Sequence, residues 1–442
     1  MTDLLEVAPA AVPNPVPPGR GRWRLTVHRR TFASPPMPWN QTILGELSSA
    51  RSRSLVQQRN NPAELRFSID GRAPDAAAVA ELQHDIYAWR WDDQTGTDIC
   101  MFRGPVDHSQ DTISEQAHTV NFVAHDYLAT VNRRFLVDGA PLTITATDQD
   151  RIVAILLARA GGAFSTSPYP PGSNIPVGAV LADQAGVLSR PYSGVQRDRT
   201  YTGQKNLGEA IDQLANVSGG FEYDIVPEPA ASDTFWMIDP GTGVTPSLGA
   251  GRDALRIFWP SQGVNRTDIV LVYGGNVRAV SRNVSSADYA NMVRSLGNNG
   301  STDPAAIQLY AMAANPDAAA MEVGLWPYAD GGATDVNDQA TLNQRAAGLL
   351  ASAAVLVPSY TVTMRPVGYS PRPTYPNMGD TVPLIIKSGR LDVNTTVRVV
   401  GVTYTIGDDG DEDVALTVGR PLSSLTDLLA RTATAVDALA RR

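Results

Sequence analysis

The chain holds a single cysteine, Cys100, in 442 residues. One thiol excludes an intrachain disulfide and any cysteine-rich zinc or iron–sulfur site. Its neighbours Ile99, Met101 and Phe102 put it in a strand, as a small buried hydrophobe rather than a reactive group. Lysine is nearly missing too: only Lys205 and Lys387 stand among 36 basic residues. The net charge of -9 opposes the positive footprint that a phosphate backbone requires, so no specific nucleic-acid binding is expected. No apolar run reaches the roughly 18 residues of a membrane span. Residues 1–19 lack the basic start and apolar core of a signal peptide. The five histidines, His28, His84, His108, His118 and His125, show no HExxH or HxH spacing. No nucleophile elbow, P-loop or dinucleotide fingerprint occurs. A glycosidase needs two facing carboxylates, and no local motif nominates a pair. The expectation is a chain without catalytic residues, cofactor or bound metal.

What remains is apolar and strand-like. Hydrophobic residues make up 43% and charged residues 18%, which suits packed cores, and the length suits about three domains. Residues 1–21 carry Pro9, Pro13, Pro15, Pro17 and Pro18 and form an extended arm, either a free terminus or a strap onto a neighbouring subunit. Period-two alternation begins at Trp23, Leu25 and Val27. It returns at Leu65, Phe67 and Ile69, at Tyr87, Trp89 and Trp91, at Ile99 to Arg103, and at Val120, Phe122 and Ala124. Gly104 and Pro105 should break the fourth run, and His125 to Phe135 reads as a helix.

The period then changes. Asp148 can cap a helix bearing Ile152, Ile155, Leu156 and Arg159. Residues 163–195 are loop-rich, and a second helix carries Leu207, Ala210, Ile211, Leu214 and Ala215. Phe221, Tyr223 and Ile225 form a strand that Phe235 to Ile238 can pair with. From Asn265 the chain returns to strands, with a turn at Gly274–Gly275–Asn276. Residues 283–335 read as an irregular loop, followed by a helix over 338–355 and strands at 360–364, 381–386, 397–406 and 414–418. The expected fold class is mainly β with an α/β insert (α+β). It comprises an arm (1–21), an N-terminal β domain (22–138), the insert (139–262), a second β domain (263–421) and a C-terminal amphipathic helix (422–442). Both β domains are expected to be antiparallel and barrel-like.

Two local features invite a function. Asp408, Asp409, Asp411, Glu412 and Asp413 crowd one turn. Calcium wants clustered carboxylates, but the spacing is not that of an EF-hand, and a solvated hairpin tip with Gly410 at positive φ is the simpler reading. In the C-terminal helix, Leu422, Leu425, Leu429, Thr432, Val436 and Leu439 follow heptad spacing. That seam serves either an oligomer or partner interface or a face packed on its own domain.

The order of these pieces carries a resemblance. "AAAVAELQHDIYAWRWDDQTGTDICMFRGPVD" (Ala76 to Asp107) and "VNFVAHDYLATVNRRFL" (Val120 to Leu136) look like the N-terminal region of actinophage minor tail proteins. "NLGEAIDQLANVSGGFEYDI" (Asn206 to Ile225) resembles their helix–glycine–strand unit. "MGDTVPLII" (Met378 to Ile386) and "VRVVGVTYTIGDDGDEDVALTVGRP" (Val397 to Pro421) resemble the closing β domain of tail hubs. The resemblance implies a siphophage tail-tip hub, similar to contractile-phage baseplate hubs. Such a hub is a homotrimer whose paired β domains make a pseudo-sixfold ring between tail tube and tip. It implies a virion protein assembled in the bacterial cytoplasm, with the distal tail protein ring, tape-measure protein and tip fibres as partners. A receptor- or carbohydrate-binding tail protein, with Trp89, Trp91, Trp236 and Trp326 exposed, and a tail-borne glycosidase are the alternative readings.

Overall fold

The computed structural model describes residues 23–31, 40–92, 96–136, 142–160, 177–182, 193–201, 205–215, 220–227, 234–239, 243–248, 253–286, 289–297, 309–316, 322–333, 339–354, 358–365, 375–408 and 412–419. The chain divides into two compact units. One combines residues up to Val280 with Thr361–Val418, and the other is built mainly from Ser281–Tyr360.

The first unit starts with seven strands: β1 (Trp23–Thr31), β2 (Asn40–Glu46), β3 (Arg51–Gln58), β4 (Glu64–Asp70), β5 (His84–Asp92), β6 (Thr97–Ile113) and β7 (His118–His125). Alternation sets the buried face of β4 and β7, as the sequence suggests, whereas β5 is buried on both faces from His84 to Ala88. Leu65, Phe67 and Ile69 point inward from β4, and Phe67 stacks on its cross-strand partner Phe122 at 5.2 Å. β6 does not stop at Gly104 and Pro105 but runs through them. Its first half pairs with β5, ending at Asp85↔Pro105, and its second half pairs with β7 from Val106 on. The change of partner falls where a missing N–H is tolerated. Gly104 is required because a Cβ there would lie 1.9 Å from the His125 carbonyl oxygen. Helix α1 (Tyr127–Val131) is shorter than the apolar spacing to Phe135 suggests, and Asp126, not His125, caps it.

The insert holds β8 (Leu142–Asp148), α2 (Gln149–Ala160), β9 (Val177–Ala182), β10 (Gln196–Tyr201), α3 (Leu207–Ala215) and β11 (Glu222–Val226). It continues with β12 (Thr234–Asp239), β13 (Gly243–Leu248) and β14 (Asp253–Phe258). Asp148 accepts from the Asp150 N–H at 3.2 Å, the expected cap. Two pairings differ from expectation. β11 pairs with β14, not β12, because β9 inserts between them in the order β11-β14-β9-β12-β13. β9 also supplies a strand inside the stretch read as loop, lying parallel to β14. The apolar faces of all three helices meet Leu255 and Ile257 of β14 in one core.

After the insert come β15 (Leu271–Val272) and β16 (Val277–Asn283), around Gly274 at φ +86°. The second unit follows. The described residues of 283–335 include three strands where a loop was expected: β17 (Met292–Gly297), β18 (Tyr310–Ala314) and β19 (Pro327–Ala333), in the order β18-β17-β19. Helix α4 (Gln339–Ala353) covers one face of this sheet, with Leu342 and Ala346 against Ala290, Val293 and Ala311. The buried strand positions mix Val293 and Ala311 with Ser295 and Asp330, which leaves too little contrast for a period-two signal.

The last strands are β20 (Ser359–Met364), β21 (Thr381–Ser388), β22 (Leu391–Ile406) and β23 (Glu412–Gly419). β22 repeats the device of β6. Its first half pairs with β21 and its second half with β23 and β3, with a register shift between Val399 and Gly401. Through the β22–β3 pairing the second β region hydrogen-bonds directly onto the first. The fold is therefore mainly β with an α/β insert. Its two expected barrel-like regions join into one open sheet of 13 strands, ordered β16-β20-β23-β22-β3-β4-β7-β6-β5-β1-β2, with β15 and β21 branching from β22.

Candidate functional site

The polar residues of the first unit concentrate where strands change partners. Arg103, beside Gly104 on β6, is 1% exposed. Its Nη1 donates to Asp253 on β14 at 3.0 Å, Asp85 on β5 lies 3.9 Å from its Nε, and the Tyr87 and Tyr127 rings flank it at 5.4 and 5.3 Å. Burial opposes the charge, but Asp253, the two tyrosines and Asp85 outweigh it and tighten the guanidinium's hold on its proton. The Tyr127 hydroxyl donates to Asp85, which completes a knot between β5, β6, α1 and the insert. His28 stacks on Tyr87 at 4.0 Å, and burial, then Arg103, lowers its pKa to about 4. It is thus a neutral core histidine.

A second knot closes the acidic turn. Glu412 is buried, accepting from Arg90 Nε at 2.9 Å, Arg90 Nη2 at 3.0 Å and Trp23 Nε1 at 2.6 Å. Asp413 pairs with Arg278, and Asp408 accepts from the Ser52 N–H at 3.2 Å. The turn is therefore not simply a solvated tip, since three of its carboxylates tie strands together. Among the described residues, no group of three or more histidine, cysteine, aspartate or glutamate side chains is placed to hold a metal.

Arg90 of the second knot also lines a polar cleft of about 530 Å³. One wall carries Val402, Tyr404, Val414 and Leu416, another Arg90, Cys100 and Met101, and the remainder comes from residues 57–63, Asp126, the insert, residues 263–266 and residues 375–380. In its lining, Asp224 accepts from Arg256 at 2.6 and 2.8 Å and from Gln262 Nε2 at 2.8 Å. The Gln262 N–H in turn donates at 2.9 Å to Glu222, outside the lining, which also accepts from Arg398 Nη1 and Arg59 Nη1, both at 2.7 Å. Burial pushes Glu222 up, but Arg398, the Gln262 amide and Arg59 hold its carboxyl below the ordinary range. Asp126, which lines the cleft while capping α1, is driven to about 7 by burial against its two backbone donors, Ala63 and Leu128. Gly263 and Gly379, both at positive φ, let two backbones cross: a Cβ on Gly263 would meet Gly379 at 2.0 Å.

Other residues nominated by the sequence are dispersed. His84 bonds Ala78 O at 2.8 Å, His118 meets Asp111 at 2.8 Å, and His125 meets Asp107 at 2.9 Å. Cys100 is half-buried at the cleft wall. Trp89 and Trp91 are half-buried, and Trp89 donates to Thr26 at 2.9 Å. In the second unit Trp326 is 47% exposed, beside Leu325 and Tyr328, while Tyr310 and Met312 stand out from β18 with Arg294 over the Tyr310 ring at 5.0 Å. Leu422, Leu425, Leu429, Thr432, Val436 and Leu439 lie outside the described residues. Sequence reasoning missed Arg90, Arg103, Glu222 and Asp253. The signal was a charge inside an apolar strand, as in "WRW" and "MFRG".

No protein-family model matches the chain, and no curated protein does. The fold, however, has solved counterparts. The chain is similar to the 43 kDa tail protein of prophage MuSo2 from Shewanella oneidensis, with TM-score 0.51 and 11% identity over 90% of this chain and 98% of that one. It is equally similar to the tail protein from Neisseria meningitidis MC58, with TM-score 0.51 and 10% identity over 90% and 96%. The fold of the chain is thus shared with these phage tail proteins.

Proposed function

We propose that the chain is a structural hub of a phage tail tip, three copies of which form a ring joining the tail tube to the tip fibre and receptor-binding apparatus. The observation that carries this reading is the fold match, which spans 90% of this chain and nearly all of each tail protein compared. Two features support it. β6 and β22 are the same device used twice, a long strand shared between two pairings with a register shift at the join. That is the duplication a pseudo-sixfold ring of three chains calls for. Among the described residues the main sheet ends at β2 and at β16, and a ring of copies gives such edges partners. The buried charges have structural work to do, which suits a non-enzymatic role. In this reading the partners are the distal tail protein ring, the tape-measure protein and the tip fibres, and the protein resides in the virion tail tip. The C-terminal seam from Leu422 to Leu439 closes a three-helix bundle on the threefold axis. Mass measurement of the full chain and of residues 1–421 tests both parts. A trimer that loosens on truncation is expected; a full-length monomer sinks the hub, and equal states sink the bundle.

A receptor-contact reading has one observation of its own. The strip formed by Leu325, Trp326 and Tyr328 is exposed in the second unit. Quenching of a Trp326-only emission by cell-wall polysaccharide would favour it over the hub reading.

A further inference from the structure

The chain enters the described structure at Trp23, next to two residues that line the polar cleft. Trp23 packs on Tyr404 at 5.5 Å, pairs with Arg90 across β1 and β5, and donates to Glu412. Tyr404 and Arg90 both line the cleft. The residues before Trp23 are the proline-rich arm, and an extended polyproline segment rises about 3.1 Å per residue, so they more than span the opening.

The lining suits such a segment. A polyproline helix makes no internal hydrogen bonds, so every carbonyl is a free acceptor, and its rings pack on aromatic and sulfur-bearing side chains. The cleft offers Tyr404, Tyr375, Met101 and Met378 as surfaces, and the amides of Gln58 and Asn377 as donors. Gln262 adds a second, independent sign. It is 7% exposed, and its Nε2 donates to Asp224, which fixes the amide orientation. Its Oε1 then lies buried with no hydrogen-bond partner among the described residues. A buried acceptor left unpaired costs about 1–3 kcal/mol. In the arm, Asn14 and Val16 each carry an N–H between prolines and suit that oxygen.

We propose that the cleft is the seat of the chain's own N-terminal arm, with residues around Pro13–Pro17 bound as a polyproline segment. A volume of about 530 Å³ takes a few residues of the arm rather than its whole length. The arm then straps the strand walls to the insert within one subunit.

Cys100, the sole cysteine, lines this cleft and reports on its occupant. The test compares Cys100 reactivity toward a maleimide in the full chain and in a variant lacking residues 1–21. A seat closed ten times in eleven slows the thiol about tenfold, equivalent to about 1.4 kcal/mol. A synthetic peptide of residues 1–21 added to the truncated protein should restore slow labelling with saturation, and a peptide with Pro13, Pro15 and Pro17 changed to glycine should not. A Pro15→Cys variant of the full chain guards against a truncation that fails to fold. A short bis-maleimide should bridge the introduced thiol to Cys100 within one chain, seen as a loop-linked peptide by mass spectrometry. Equal labelling rates with no bridge overturn the proposal. Protection or bridging that grows with protein concentration also overturns it, by assigning the arm to a neighbouring copy.

Discussion

Replacing Glu412 by alanine strips three hydrogen bonds and one charge from the knot that fastens β23 to β1 and β5. Arg90 and Glu412 side chains are each 3% exposed. Removing one partner of such a pair strands the other charge in the interior, at a cost of about 3–5 kcal/mol. The indole N–H of Trp23 loses its acceptor in the same step, and the two losses overlap because they share one carboxylate. A fall of about 4 kcal/mol in the stability of the first unit is the expected result. Asp413, one residue on, supplies the control. It and Arg278 are 43% and 45% exposed, so Asp413→Ala should cost less than about 1 kcal/mol. Urea denaturation followed by circular dichroism reads both variants without depending on Trp23 emission. The double variant Arg90→Met with Glu412→Leu should recover most of the loss, since an apolar pair of similar volume replaces the ions. Equal, small losses for Glu412→Ala and Asp413→Ala would refute the claim that Glu412 acts as a buried tie.

Gly104→Ala drives a Cβ into the His125 carbonyl, so it should destabilise by about 3 kcal/mol or more, whereas Gly45→Ala, with nothing within 4 Å, should be nearly neutral; thermal melts of both variants check this. Burial and the neighbouring Asp148 raise Asp150 to about 8. Its unfolded value is about 3.9, so the folded chain holds the extra proton between these limits and loses stability as pH rises through that window. Asp150→Asn should therefore melt with the native chain near pH 4 and above it by a growing margin up to about pH 8, and a margin independent of pH would contradict this. Arg345→Ala takes the guanidinium away from the buried Asp330 carboxylate, so limited proteolysis should cut the second unit first in that variant.

β1 and β5 alternate in sequence but are buried on both faces, with His28, Asp85, Tyr87 and Arg90 opposite the core residues, whereas alternation along β4 and β7 was plain in the sequence because each buries one face only. The helices bearing Ile152 and Leu207 were plain for the same reason, at a period of 3.6. Three things were not. Gly104–Pro105 reads as a break, but where a strand changes partners a residue without an N–H is tolerated at the join. β17 to β19 bury Ser295, Ala311 and Asp330 alongside Val293, so their buried faces carry little hydropathy contrast. The knots join residues 150 and 322 positions apart, as in Arg103–Asp253 and Arg90–Glu412, and no local spacing announces such pairs. The motifs that carried the resemblance acquire physical content here. Arg103 and Gly104 of "FRGPV" and Asp126 and Tyr127 of "HDYL" meet at one buried junction, so the pattern records a packing requirement and not a reaction.

The hub reading stands or falls on closure into a ring. Electron-microscope class averages of the purified full-length protein test it most directly. Closed rings with threefold symmetry are the result expected from three copies pairing their open sheet edges. Monomers, or open chains of copies with no closing rotation, would contradict it.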